Sequence, residues 1–153
     1  MAINLDSDDF TLGVIGAGAM GRGIVQVAAA GGLRVKLFDV NQEQSKDAVA
    51  FVGKMLGRAA KKGQMSASDR VSTIETTQGF ADCPIVIEAA TENPKIKNSI
   101  YADLEGIMAV DAIIATNTSS LSITTLASPL KNPERFVGMH FFNPVPLMRL
   151  VEV

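Results

Sequence analysis

Phe10-Thr11-Leu12-Gly13-Val14-Ile15-Gly16-Ala17-Gly18-Ala19-Met20-Gly21 runs from an apolar, strand-like stretch straight into three glycines spaced G-x-G-x-x-G, and an Ala-rich, helix-like run follows. A second apolar run, Arg34 to Phe38, ends at Asp39, eighteen residues after Gly21. Glycines alone would be a weak signal. Strand, turn, helix, second strand and terminal acid together make the dinucleotide-binding pattern. In that pattern Gly16 permits the tight turn, Gly18 lets the backbone approach a pyrophosphate, and Gly21 lets the helix pack closely on the sheet. The N–H groups of Ala19, Met20 and Gly21 open the helix and face two negative phosphates, where the macrodipole also favours an anion. The Asp39 carboxylate can accept hydrogen bonds from both hydroxyls of an adenosine ribose. It would repel a 2′-phosphate, and Val40 and Asn41 bring no cation to receive one, so the expected cofactor is NAD.

With 153 residues, the chain is long enough for one domain with a real core. A composition 47% hydrophobic and 20% charged, with a net charge of −2, is that of an ordinary globular protein and carries no electrostatic footprint for nucleic acid. Cys83 is the single cysteine, so no internal disulfide and no metal spacing arise; beside Pro84 it reads as a small buried hydrophobe. No apolar stretch reaches membrane-spanning length. The first residues, with Asp6, Asp8 and Asp9, lack the features of a signal or transit peptide, and a cytoplasmic location is expected.

Residues 1 to 9 read as a polar lead-in to a domain spanning 10–153. Thr11 to Ile15 form the first strand and Met20 to Ala30 the first helix, which Gly31-Gly32 stops. After the second strand, Asn41 can cap a long helix carried by Ala48, Phe51, Val52, Met55, Leu56 and Ala59 as far as Gly63. Its opposite face carries Lys54, Arg58, Lys61 and Lys62, a basic stripe that fits a solvated face better than a site for an acidic cofactor tail. A short helix over Ser66 to Arg70 and a strand over Val71 to Glu75 come next. Pro84 to Ala89 has the apolar, β-branched composition of a strand buried on both faces. The helix after it has Ile96, Ile100, Leu104, Ile107 and Met108 as its core stripe. Ala112 to Ala115 make another buried strand, Ile123 to Ala127 a short helix, and Arg135 to Met139 the next strand. This alternation predicts an α/β fold, a doubly wound, mostly parallel Rossmann-type sheet with helices on both faces.

Ligands of such a sheet lie outside the carboxyl ends of its strands. Candidates there are Glu88 and Glu92, Asn117 to Ser120, and His140 with Asn143. His140 is the sole histidine. Leu147 to Val153 resume a strand pattern after Pro144 and Pro146, and a reversal near Pro146 sets position 140 opposite position 152. Glu152 could then hold one imidazole nitrogen as N–H and leave the other free as a base. The competing reading is a hydrogen-bonded core histidine beside a solvated edge charge. A cofactor site on the same sheet edge favours catalysis, since hydride transfer from an alcohol needs a base for the hydroxyl proton. Ser119 and Asn143 could bond the reacting oxygen, or serve equally well as a helix cap and a turn residue.

The glycine stretch, Val86-Ile-Glu-Ala-Ala-Thr-Glu-Asn93, Ala115-Thr-Asn-Thr-Ser-Ser-Leu121 and Gly138-Met-His-Phe-Phe-Asn-Pro-Val-Pro-Leu-Met-Arg-Leu-Val-Glu-Val153 together resemble the NAD-binding domain of 3-hydroxyacyl-CoA dehydrogenases. The resemblance implies His140 as general base with Glu152 as its partner, Ser119 and Asn143 as ligands of the substrate's 3-oxygen, and Asp39, Glu92 and Lys97 as NAD contacts. It implies oxidation of (S)-3-hydroxyacyl-CoA to 3-ketoacyl-CoA in fatty-acid β-oxidation, or the reverse step in synthesis. The family adds a helical second domain that completes the acyl-CoA cleft and most of the dimer contact. The chain therefore looks like an excised domain, poorly active or inactive by itself, of an enzyme that is a homodimer at full length. Two other readings are a 6-phosphogluconate or 3-hydroxyisobutyrate type of dehydrogenase, which relies on a catalytic lysine, and a non-catalytic NAD(H)-binding protein of the λ-crystallin kind.

Overall fold

A computed structural model describes Ser7, residues 10–60 and residues 67–153, the side chains of 58–60, 67 and 68 excepted. Six strands form one parallel sheet: β1 (Thr11–Ile15), β2 (Arg34–Phe38), β3 (Val71–Thr73), β4 (Ile85–Glu88), β5 (Ile113–Thr116) and β6 (Phe136–Gly138), in the order β3-β2-β1-β4-β5-β6. The order reverses between β1 and β4, which makes their carboxyl ends the switch point of the sheet. A separate antiparallel ribbon pairs β7 (His140–Phe141) with β8 (Val151–Glu152).

Side chains alternate across each strand, and that alternation sorts them into two cores. Leu12, Val14, Val35, Leu37, Ile87 and Ala115 face one side, covered by helices α1 (Ala19–Ala30) and α2 (Gln42–Ala60) through Ile24, Val25, Ala48, Val52 and Leu56. Ile15, Val86, Ile114 and Phe136 face the other, covered by α3 (Pro94–Ile107) and α4 (Ile123–Ala127) through Tyr101, Leu104 and Leu126. Each aliphatic side chain so buried contributes about 1.5–3 kcal/mol relative to exposure. The doubly wound sheet read from the sequence is thus the observed one.

Several local expectations shift. Asn41 does cap α2, its Oδ1 accepting the Gln44 N–H at 3.3 Å. Asn93 caps α3 in the same way and Pro94 opens it. The stripe of α3, however, is rotated from the one predicted: Lys97, Tyr101 and Leu104 are buried, whereas Ile96 is 46% exposed. An apolar-only count misses a lysine at a core position. The strand expected over Leu147 to Val153 reduces to Val151–Glu152, and Val71–Glu75 to Val71–Thr73. Cys83 is buried as expected, and burial pushes its thiol up to about 12. The lead-in apart from Ser7, the end of the long helix at Gly63, the start of the short helix at Ser66, and Lys61 and Lys62 lie outside the described residues, as does the Arg58 side chain. Lys54 is exposed. Among the described residues no helix is long and apolar enough to cross a membrane.

Candidate functional site

The glycine turn places three features at the end of β1. Gly16 has φ +100°, a conformation that L side chains rarely adopt, and a Cβ there would lie 2.5 Å from the Ala89 carbonyl oxygen. At Gly21 a Cβ would fall 1.7 Å from the Gly16 carbonyl oxygen, so helix α1 approaches the turn as only glycine allows. A Cβ at Gly18 would meet nothing within 4 Å, so this backbone borders open space. The first bond of the helix ladder runs from the Arg22 N–H to the Gly18 carbonyl at 2.9 Å, which leaves the N–H groups of Ala19, Met20 and Gly21 ahead of it. No acidic side chain occupies the first turn.

Asp39 is fixed against this turn. Its Oδ2 accepts the Ala17 N–H at 2.8 Å and its Oδ1 the Asn41 N–H at 2.8 Å. Each oxygen keeps a further lone pair for a ligand. Gly16, Asp39, Val40, Ile96 and Ser99 border a cleft of about 720 Å³, which explains why Val40 and Ile96 stay exposed on its rim. Ala90 also borders a second cleft of about 290 Å³, whose walls include Met20, Glu92, Asn117, Ser119, His140 and Asn143. The two clefts meet at Ala90 across the switch point. One side has the Asp39 carboxylate and the glycine that opens the turn, and the other has the first turn of α1 at Met20 together with titratable and hydroxyl groups. Together the two clefts could hold an extended dinucleotide, with the Asp39 carboxylate offered to a ribose.

His140 and Glu152 stand directly opposite each other in the β7–β8 ribbon, the register the sequence midpoint implied. His140 Nδ1 lies 2.9 Å from Glu152 Oε2. The His140 side chain is 24% exposed and that of Glu152 64%, so the imidazole is half sheltered while its partner remains in solvent. The ring also lies 4.5 Å, centroid to centroid, from that of Phe142. Behind the ribbon, buried Val145 packs on α1, where a Cβ at Gly23 would come within 2.8 Å of the Val145 Cβ.

Of the carboxylates expected at the strand ends, Glu92 reaches the second cleft, but Glu88 does not. Glu88, Lys97, Tyr101 and Thr116 are all fully buried. Lys97 Nζ donates to Glu88 Oε1 at 2.9 Å and Oε2 at 2.8 Å, while the Tyr101 hydroxyl lies 2.6 Å and the Thr116 hydroxyl 2.8 Å from Oε2. The Ala90 N–H donates to Glu88 Oε1 at 2.6 Å. Burial, and next the Glu88 charge, push the Tyr101 hydroxyl well above its ordinary range, which keeps it a neutral donor. Lys97 also lies 3.8 Å from Glu92 Oε1, and Glu92 Oε2 accepts the Thr118 hydroxyl at 2.7 Å. Lys97, expected as an NAD contact, has no accessible side-chain surface here and stands next to the cleft through its neighbour Glu92. The signal in the sequence was Lys97 and Tyr101 four apart on α3, the same face of one helix.

Over residues 11–153 the sequence matches the family model of the 3-hydroxyacyl-CoA dehydrogenase NAD-binding domain. The chain belongs to this family. A probable 3-hydroxybutyryl-CoA dehydrogenase of Deinococcus radiodurans is 45% identical over 146 residues, 92% of this chain and 52% of that one. The fatty acid oxidation complex subunit alpha of Psychrobacter arcticus is 44% identical over 92% of this chain and 20% of its own. The crystal structure of the (S)-3-hydroxybutyryl-CoA dehydrogenase of Ralstonia eutropha superposes with a TM-score of 0.85 at 44% identity, covering 92% of this chain and 52% of that one. The chain spans about half the length of the 3-hydroxybutyryl-CoA dehydrogenases it matches. As a 3-hydroxyacyl-CoA dehydrogenase NAD-binding domain, it has NAD as its cofactor, and the 720 Å³ cleft beside Asp39 is the pocket whose chemistry suits that role.

Proposed function

We propose that this chain is the NAD-binding and catalytic half of an enzyme that oxidises (S)-3-hydroxyacyl-CoA to 3-ketoacyl-CoA, with His140 as general base. The observation that carries this reading is the 2.9 Å contact between His140 Nδ1 and Glu152 at the mouth of the cleft beside Ala90. Bound NAD supplies the acceptor for the hydride that leaves C3 of the alcohol. Glu152 holds the proton on Nδ1, so Nε2 presents a lone pair and takes the hydroxyl proton; the carboxylate then stabilises the imidazolium. Ser119 and Asn143, on the wall of the same cleft, hydrogen-bond the 3-oxygen. Gly16, Gly18, Ala19, Met20 and Gly21 hold the pyrophosphate, Asp39 the adenosine ribose, and Glu92 the nicotinamide side, with Lys97 acting through Glu92. A lysine-dependent mechanism of the 6-phosphogluconate type is disfavoured because Lys97, beneath the cleft, is buried and ion-paired. A homodimeric, cytoplasmic enzyme accords with this reading, and its partner is the acyl-CoA substrate.

The test is NADH formation from (S)-3-hydroxybutyryl-CoA in a protein extended to the length of its relatives, with the R epimer as control. Turnover of the S form is expected; equal turnover of both, or of neither, contradicts the proposal. In the chain itself, calorimetric titration is expected to show NAD(H) bound more tightly than NADP(H), because Asp39 meets the extra phosphate as a like charge. Asp39→Ala should narrow that difference. Equal or tighter binding of NADP(H) by the unaltered chain would refute the role of Asp39.

A further inference from the structure

The ribbon that carries His140 has only two residues in each strand, too little to be stable alone. Its orientation therefore depends on what ties it to the six-stranded sheet. One tie is the Met139 N–H, which donates to the Thr116 carbonyl at 2.9 Å and continues the parallel pairing of β5 with β6. In a regular parallel ladder the next bond donated by the same strand would run from the Phe141 N–H to the carbonyl of residue 118. Instead the Phe141 N–H donates at 2.9 Å to the side-chain oxygen of Asn117. A side-chain amide thus takes the place of one backbone rung, and the regular pairing of β5 ends ahead of Ser119, which lies on the cleft wall.

Asn117 is itself held by its chain neighbours and by the sheet. Its N–H donates to the Glu88 carbonyl at 2.7 Å. The preceding Thr116 side chain is locked into the buried cluster with Glu88 and Tyr101. The following Thr118 hydroxyl donates to Glu92 at 2.7 Å and accepts the Leu121 N–H at 3.2 Å. Glutamine would set the amide one methylene too far out, and serine would fall short of the Phe141 N–H.

We propose that Asn117 is a positioning residue: through Oδ1 and the Phe141 N–H it extends the sheet by one rung and sets the direction in which His140 faces the cleft. This rests on the reading of His140 as the base, but its test is read without turnover, so the two can fail separately. His140 is the only histidine in the chain, so its ring-proton NMR signals need no assignment against others, and Phe142 beside it makes them sensitive to ring orientation through the ring current. Asn117→Ala is expected to shift those signals and to speed exchange of the Phe141 amide by on the order of tenfold, as loss of one hydrogen bond implies. Asn117→Asp keeps the acceptor and should leave the amide within about twofold of the unaltered protein, while protected amides of β1 report an intact sheet. Unchanged signals and exchange in Asn117→Ala overturn the proposal, as does an aspartate variant as disturbed as the alanine one. Should Asn117→Ala fail to fold, the unaltered chain still decides: a Phe141 amide exchanging as fast as an unprotected peptide overturns it.

Discussion

Replacing His140 with glutamine is expected to lower turnover of a 3-hydroxyacyl-CoA by a factor of about 10² to 10⁴, the usual cost of removing a general base. Glutamine fills much of the space of imidazole and can still hydrogen-bond, but it cannot carry the hydroxyl proton. NAD affinity should change little. Asp39 and Gly16 line the cleft on the other side of Ala90, and His140 is not among the residues of that wall. The pair of readouts separates chemistry from binding: a large loss of kcat with NAD affinity within about twofold is the expected result. Full turnover by the variant would remove His140 from the mechanism. A parallel loss of NAD binding would mean that the substitution had disturbed the ribbon instead.

The second large effect is on stability. Lys97→Met should destabilise the chain by about 3–5 kcal/mol, because it removes one partner of a fully buried ion pair and leaves the Glu88 carboxylate without its countercharge. That is a large share of the roughly 5–15 kcal/mol that holds a typical domain together. Replacing both partners, Glu88→Gln with Lys97→Met, should recover part of the loss, since the remaining neutral groups can still bond the Tyr101 and Thr116 hydroxyls. Urea unfolding of the two variants measures both values. A loss below about 1 kcal/mol for Lys97→Met would show that the pair contributes nothing net.

These two sites differ in how far the sequence revealed them. β1, β2 and the first helix are local: apolar alternation, a glycine turn and a Gly-Gly stop define them within one window of residues, and the observed boundaries of β1 and β2 coincide with the expected ones. The pairing of His140 with Glu152 was also legible, because a reversal near Pro146 sets positions 140 and 152 opposite each other. The buried cluster was not. That Lys97 is buried against Glu88 and Thr116 depends on β4 and β5 being neighbours, a long-range fact that spacing on α3 does not contain. Ile96 reads as core for the converse reason: an exposed isoleucine is explained only by the cleft it borders. The expected basic stripe is a third case, since of its four side chains only that of Lys54 falls among the described residues, where it is exposed.

Turnover of four proteins, the unaltered sequence, His140→Gln, Glu152→Gln and the double variant, tests the central claim most directly, each carried on a chain extended to the length of its relatives. If Glu152 acts by holding and stabilising the His140 imidazole, it has nothing left to do once His140 is gone. The double variant should then be impaired hardly more than His140→Gln alone, well short of the product of the two single losses. Strictly multiplicative losses would show that the two residues act independently, and would contradict the account of this 2.9 Å contact as the working unit of the site.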